Sequence, residues 1–255
     1  MVDSKVPIDT EFDFRQEVDD RDPDIYSPTL KQFHKILWSK TLPNGKSLQI
    51  TNAKSKYLVG ICEDKSIYLS SDSIVHSYWG KARMNKVLIG LDVEVERFRK
   101  VNSTIGGYIL FPGNQIDGKW TINQARGCHQ KIADRFDLTL ECIRLHYLNI
   151  SHPLDKTLKR YSNFFNLFND FTGYIKFFLL DDLVDENYST VKFHTNFEQL
   201  FISKPLPQNQ SEYRIYAENS KRFVKLRNER IRRWVSDPSN QLDLLPSNHR
   251  VDKRR

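Results

Sequence analysis

A chain of 255 residues with 39% hydrophobic and 12% aromatic residues can bury a sizeable core, which excludes the disordered, collagen-like and low-complexity classes. No apolar run approaches the roughly 20 residues that cross a bilayer, and Met1 to Thr10 lacks the basic-then-apolar order of a secretory leader, so a cytoplasmic protein with no membrane role is expected. Three cysteines, Cys62, Cys128 and Cys142, cannot all pair within one chain, which argues for a reducing compartment.

The formal charge of +7 is informative once it is located. From Lys221 to the end stand eleven Lys or Arg against four Asp or Glu, the whole of the excess, and the residues before that balance at 28 of each sign. The first 25 residues carry nine acids against three bases, so an acidic head precedes a balanced body and a basic tail. Either the two ends neutralise each other or are merely solvated, or the tail meets a polyanion such as RNA or DNA.

Residues 1–27 read as an acidic, irregular arm, since Pro7, Pro23 and Pro28 bracket a charged stretch of little periodicity. "SPTLKQFHKILWSK" then predicts a short amphipathic helix with Ser27 as N-cap, Pro28 in its first turn, and Leu30, Phe33, Ile36 and Leu37 on one face. After the "LPNG" turn the period falls towards two. "SLQIT", "KYLVGIC" and "SIYLS" read as strands, the last two joined tightly through "EDK", with further strands expected at "KVLIGL" (86–91) and "TIGGYILF" (104–111). Short connections favour an antiparallel meander. The two glycines of "TIGGY" suggest a bulge rather than a phosphate cradle.

From Thr121 the pattern is helical. Gly127 is expected to separate a short first turn from a main helix over 130–149. Leu154, Leu158, Tyr161, Phe165 and Phe168 define a next helical face, "GYIKFFLLDDLV" a short apolar helix, "TVKFHT" a returning strand, and Ser211 the cap of a long helix to about Val235. The fold class is α+β, a single domain over 28–235 with its antiparallel sheet in the N-terminal half packed by helices of the C-terminal half, and a polar basic tail over 236–255.

Charged residues concentrate in "TINQARGCHQKIADRFDLTLECIRLHY" (121–147). On a helix running through Asp134, the positions Asp137, Glu141 and Arg144 fall within about 80° of it, hemmed in by apolar neighbours. Such a strip faces a pocket, an ion or compensating cations, or is a solvated face with Glu141 and Arg144 paired across one turn. Under the chemical reading Asp134, Asp137 and Glu141 position a divalent metal or act as acid and base, His146 carries protons, and Arg126 and Arg144 hold phosphate. Arg126 could equally tie down Asp134 or Asp137 inside the fold. Cys128, His129, Cys142 and His146 could in principle bind zinc, although no C-x-x-C pair occurs and buried cysteine is commonly just a small hydrophobe. No G-x-S-x-G, Walker A, H-E-x-x-H or G-x-G-x-x-G motif is present. On the last helix Lys221, Arg222, Lys225, Arg232 and Arg233 share a sector of about 120°, a generic footprint for nucleic acid that also describes many solvated helices.

The runs "TINQARG", "DRFDLTLECIR" and "HY", with "DPDIYSPTLKQFHKILWSKTLPNG" and "FFLLDDLV", resemble a bacterial family that forms a domain of unknown function, over about residues 20 to 235. Leu145 stands where that family has a second basic residue after Arg144, which puts in doubt any role needing paired arginines. The resemblance implies bacterial origin and an intracellular α+β protein, and carries no activity. Two functions are therefore expected to compete: a hydrolase or transferase that binds or processes a nucleotide or nucleic acid, and a non-catalytic binding or regulatory module whose charged cluster is structural and whose basic helix docks nucleic acid or an acidic protein.

Overall fold

Residues 8–19, 21–53 and 58–241 are described by a computed structural model. The beginning of the expected arm (1–7), the start of the second strand at Lys56 and Tyr57, and most of the tail (242–255) lie outside the described residues.

The acidic N-terminal segment contributes to the core. Asp13 caps a short 3-10 turn, Phe14–Glu17, and the fully buried Phe14 sets its ring edge against Phe33 and Tyr108, both at 5.7 Å between centroids. Helix α1 (Pro23–Tyr26) leads into α2 (Pro28–Trp38), where the Ser27 hydroxyl accepts from the Leu30 amide at 2.9 Å and Pro28 occupies the first turn. That helix buries Leu30, Phe33, Leu37 and Trp38, with Ile36 partly covered beside them.

Four strands, β1 (Gln49–Asn52), β2 (Leu58–Cys62), β3 (Lys65–Ser73) and β4 (Tyr108–Pro112), form one antiparallel sheet in sequence order. Glu63 and Asp64 join β2 to β3 with both residues at positive φ (48° and 62°), the two-residue turn whose twist matches that of paired strands. Sheet and helices share one hydrophobic core.

The sequence misleads at several elements. "KVLIGL" is not a strand. Val87 lies in helix α3 (Asn85–Leu88), Gly90 turns the chain at φ 74°, and α4 (Asp92–Asn102) follows. The buried set Met84, Val87, Leu91, Val95 and Phe98 steps by three and four, a helical period masked by the β-branched residues. "TIGGYILF" becomes a strand only at Tyr108, because Ile105–Gly107 forms a 3-10 turn. Gly106 is there for close approach rather than a bulge: its amide donates to Asn228 Oδ1 at 2.7 Å, and a Cβ would lie 2.6 Å from the Val224 carbonyl oxygen.

In the helical half, α5 (Ile122–Cys128) and α6 (Phe136–Tyr147) are separated by a tight turn, so the expected continuous helix over 130–149 begins only at Phe136. The aromatic run breaks into α7 (Asp155–Arg160), α8 (Ser162–Phe165) and a 3-10 turn, although Leu154, Leu158, Tyr161, Phe165 and Phe168 are all buried as their spacing predicts. Helix α9 (Phe171–Phe178) ends at Leu179, whose left-handed φ of 54° stops it. "TVKFHT" forms no strand: a single bridge, Val184 to Val191, closes a turn held by the Asp185 carboxylate. The long helix α10 (Gln210–Ser236) is capped by Asn209, whose side chain accepts from the Glu212 amide at 3.0 Å, rather than by Ser211, and the short α11 (Pro238–Gln241) follows it. Among the described residues no helix is long and apolar enough to cross a membrane.

Candidate functional site

Strand β3 pairs with β4 as far as Ser73. Helix α5 reaches the carbonyls at that end of the strand. Its capping box, in which Thr121 accepts from the Gln124 amide and Gln124 reaches back to the Thr121 amide, fixes the helix start. Asn123 then reaches the Ser71 carbonyl at 3.5 Å and Arg126 donates to the Ser73 carbonyl at 3.2 Å.

The Arg126 guanidinium is fully buried and donates further to Asp72 at 2.7 Å, to the Asp134 carbonyl at 3.0 Å and to the Thr139 hydroxyl at 3.3 Å, with the Asp134 carboxylate at 3.2 Å. Lys81 closes on the other oxygen of Asp134 at 2.7 Å. This cluster opens outward, with side-chain exposures of 22% at Asp72, 16% at Asp134 and 26% at Lys81. Burial pushes both carboxyls up. At Asp134, Arg126, His76 and Lys81 outweigh it and bring the group down to about 2. At Asp72 burial, helped by the neighbouring Asp134, wins over Arg126 and the group stays raised. Two carboxyls on one guanidinium are thereby pushed in opposite directions, an arrangement suited to one acid and one base.

Asp134 is not on α6. It sits in the turn before it with φ 68°, next to Ala133 at 51°, so helical geometry does not bring it onto a strip with Asp137, Glu141 and Arg144. Asp137 is instead sealed inside. It takes a bidentate contact from Arg135, whose Nε lies at 3.0 Å, together with the backbone amides of Leu138 and His194, each at 2.9 Å. Arg135 also donates to Thr195 Oγ1 at 2.7 Å and the Pro205 carbonyl at 2.9 Å, stapling α6 to the irregular 185–209 segment. Burial opposes the Asp137 charge, but Arg135 and then His194 hold its carboxyl well below the usual carboxylate range. Glu141 pairs with Arg144 at 2.7 Å along the helix, so Arg144 is matched internally. His146 points elsewhere, its ring 5.1 Å from Phe165 and 6.3 Å from His152, with burial lowering its pKa and Asp155 the nearest opposing charge.

Among the described residues no three His, Cys, Asp or Glu side chains converge as a metal-holding group. The divalent ion expected at Asp134, Asp137 and Glu141 has no assembled ligand set, because each carboxylate is turned to its own cation. The zinc set fails likewise: Cys128 is exposed, Cys142 is fully buried with its thiol pushed up by burial, and His129 and His146 stand apart from any such group.

Sequence patterns gave no sign of the Ser71 and His34 contact, 2.9 Å from Oγ to Nε2. It is not a nucleophile pair. Trp38 Nε1–H donates to His34 Nδ1 at 2.9 Å, so the neutral ring carries its proton on Nε2 and donates to Ser71 instead of accepting from it. Burial holds the His34 pKa down to about 3. Beside Ser71 a cavity of about 20 Å³, lined by Asp24, Lys31 and Ser70 among others, has room for one water and no substrate. A wider cleft of about 470 Å³ lies elsewhere, between Lys40, Phe177 and Trp234, with Lys40 set over all three rings of Trp38, Phe177 and Trp234.

On α10 the expected basic face does turn outward. Lys221 pairs with Glu218 at 2.7 Å, Arg233 with Glu229 at 3.4 Å, and Arg232 with Glu11 at 3.3 Å. Arg222 and Lys225 are exposed and, among the described residues, have no carboxylate within ion-pair distance. Arg227, on the opposite face, is fully buried and donates to the carbonyls of Phe178, Gly106 and Tyr108.

A family model matches the chain over residues 8–231, from the first described residue to the last fully buried side chain of α10, Ile231. The chain belongs to DUF6994, a family of unknown function. No curated protein and no solved structure matches it. The family description names no activity.

Two measurements check the internal network. Asp137→Asn, which leaves Arg135 buried against a neutral partner, is expected to lower unfolding stability by about 3–5 kcal/mol, whereas Glu141→Gln, whose partner Arg144 is partly exposed and can turn to solvent, is expected to cost less. Equal losses in chemical denaturation would contradict this account. Burial also holds His76 and His194 down to about 4 each, beside His34 at about 3. Imidazoles depressed below their unfolded value near 6.5 add stability that is present above that value and lost as pH falls through the folded ones. Melting temperature is thus expected to decline between about pH 6.5 and pH 4, less steeply in His34→Gln, which keeps an acceptor for Trp38 and a donor for Ser71 without titrating. A flat wild-type profile over that window would refute the assignment of these rings as neutral.

Proposed function

We propose that this protein is a non-catalytic binding module whose α6 charges are structural and whose α10 face holds a polyanion of the nucleic-acid class. One contrast carries the reading: Asp134, Asp137 and Glu141 are each committed to an internal cation, while Arg222 and Lys225 stand exposed and unmatched among the described residues. The pairs made by Lys221, Arg232 and Arg233 lie at the surface, where such contacts contribute about 0–1 kcal/mol and are readily exchanged for phosphate oxygens. The sequence adds Arg250, Lys253, Arg254 and Arg255 beyond that helix. An intracellular setting fits the unpaired state of Cys62, Cys128 and Cys142.

Binding to mixed oligonucleotides is expected to weaken as salt rises, and the Arg222→Ala, Lys225→Ala double variant should reduce the slope of log affinity against log salt by roughly one to two. An unchanged slope would remove α10 as the contact.

A second reading is favoured by the opposed carboxyls alone. In it Asp72, whose pKa burial raises, and Asp134, whose pKa Arg126, His76 and Lys81 lower, are acid and base for a nucleotide hydrolase or transferase, with Arg126 beneath them. Asp72→Asn keeps a polar acceptor for Arg126 and should abolish turnover of a nucleotide panel in protein that still unfolds cooperatively. No turnover by wild type across that panel would dispose of this reading.

A further inference from the structure

The loop Ser77–Lys81 displays an indole from a rigid mount. Trp79 is 59% exposed, yet the residues on both sides of it are pinned. Tyr78 is fully buried, its ring stacked on His76 at 5.3 Å and its hydroxyl donating to the Ala133 carbonyl at 3.3 Å. The Tyr213 hydroxyl donates to the Ser77 carbonyl at 3.1 Å, the Tyr216 hydroxyl to the His76 carbonyl at 3.2 Å, and Lys81 to Asp134 at 2.7 Å. Tyr78 and Gly80 both adopt left-handed backbone, at φ 59° and 76°, so the chain bends sharply on either side of the tryptophan. A buried tyrosine in that region is an uncommon conformation, held here by its surroundings.

One face of the indole meets a cation: the Arg99 guanidinium lies 4.4 Å from the ring centroid while sharing Glu96 at 3.3 Å. Arg83 precedes α3, Lys86 lies on it, and Arg97 and Lys100 lie on α4. These four are exposed and, among the described residues, lack a carboxylate within ion-pair distance. A fixed, exposed ring with a guanidinium on one face, on a loop that leads into two short helices carrying unmatched cations, has the composition of surfaces that hold phosphates and stack bases. Tyr213 and Tyr216, which pin the loop, belong to α10, the helix that also presents Arg222 and Lys225.

We propose that Trp79 is a stacking platform for an unpaired base, which makes the ligand of this protein a single-stranded nucleic acid. The inference rests on the polyanion reading and narrows it. A paired base inside a duplex offers only its edges, whereas a single strand exposes the ring faces that an indole can cover. Phosphates are held by the cations of the α3 and α4 segments and of α10.

The test uses the full chain and labelled single strands of about twelve nucleotides, base-bearing and abasic, read by fluorescence anisotropy at fixed salt. Trp79→Ala is expected to weaken the base-bearing strand roughly five- to hundredfold and to leave the abasic strand unchanged, while Trp79→Phe keeps most of the affinity. Arg222→Ala with Lys225→Ala should weaken both strands alike. If Trp79→Ala, melting as wild type does, binds the base-bearing strand as tightly as wild type, or if wild type binds both strands equally, stacking is wrong while the polyanion reading stands. If wild type binds neither strand, both readings fall.

Discussion

Arg126 is the point at which the two halves of the molecule become one. The end of β3 presents a carbonyl and a carboxylate, at Ser73 and Asp72, that need donors, and the helical half must be tied to it by something more directional than apolar contact. A single guanidinium meets both needs, with the Ser73 carbonyl and Asp72 on the strand side and Thr139 and the Asp134 carbonyl on the helix side. Five donors fixed in a plane make arginine suited to this, and lysine, a point charge, could not span the same acceptors. Removing a buried charge of this kind is far from the reverse of adding one, since its partners stay behind unpaired.

Among the described residues two further buried arginines, Arg135 and Arg227, repeat the principle with different partners. Arg135 binds one carboxylate and anchors a segment that has almost no regular secondary structure of its own, with the Phe197 and Tyr216 rings at 4.8 and 5.1 Å. Among the described residues Arg227 has no carboxylate within ion-pair distance. Burial lowers its pKa to about 9, and backbone carbonyls, with the Trp38 ring at 5.7 Å, supply the negative potential it requires. A chain dense in charge thus holds part of it inside, and its formal charge overstates what a partner can meet at the surface.

How much of this could be read from the sequence follows from which contacts are local. Ser27 and Pro28 set the start of α2 through neighbours within three residues, and the alternation in "YLVGIC" and the tight turn after it placed β2 and β3. The α+β class with its N-terminal antiparallel sheet was legible for the same reason. Misread segments depended on distant partners. "KVLIGL" has the composition of a strand, but α10 packs over it and selects the helical period. Asp134 is drawn off the helix by Arg126 and Lys81, the second of them 53 residues away in sequence. At the candidate site the sequence drew attention to Arg126, Asp134 and the outward basic face of α10, yet Asp72, Lys81, His76 and Trp79 come from strand and loop positions that carry no periodic signal. The polar run "SSDS" at the end of β3 was the one local hint, since serines and an aspartate there do not suit a strand buried on both faces.

Arg227 has a consequence for the reach of α10. Three carbonyls from two separate segments converge on its guanidinium, so that turn of helix can be neither trimmed nor frayed without stranding acceptors in a dry interior. One turn later comes Ile231, the last fully buried residue, and there the recognisable family sequence stops. Beyond it the helix touches the body more lightly, through Trp234 and Val235 against the core and Arg232 on Thr10. A substitution in those last turns should therefore perturb the fold less than one at Arg227, whose loss leaves buried acceptors without a donor.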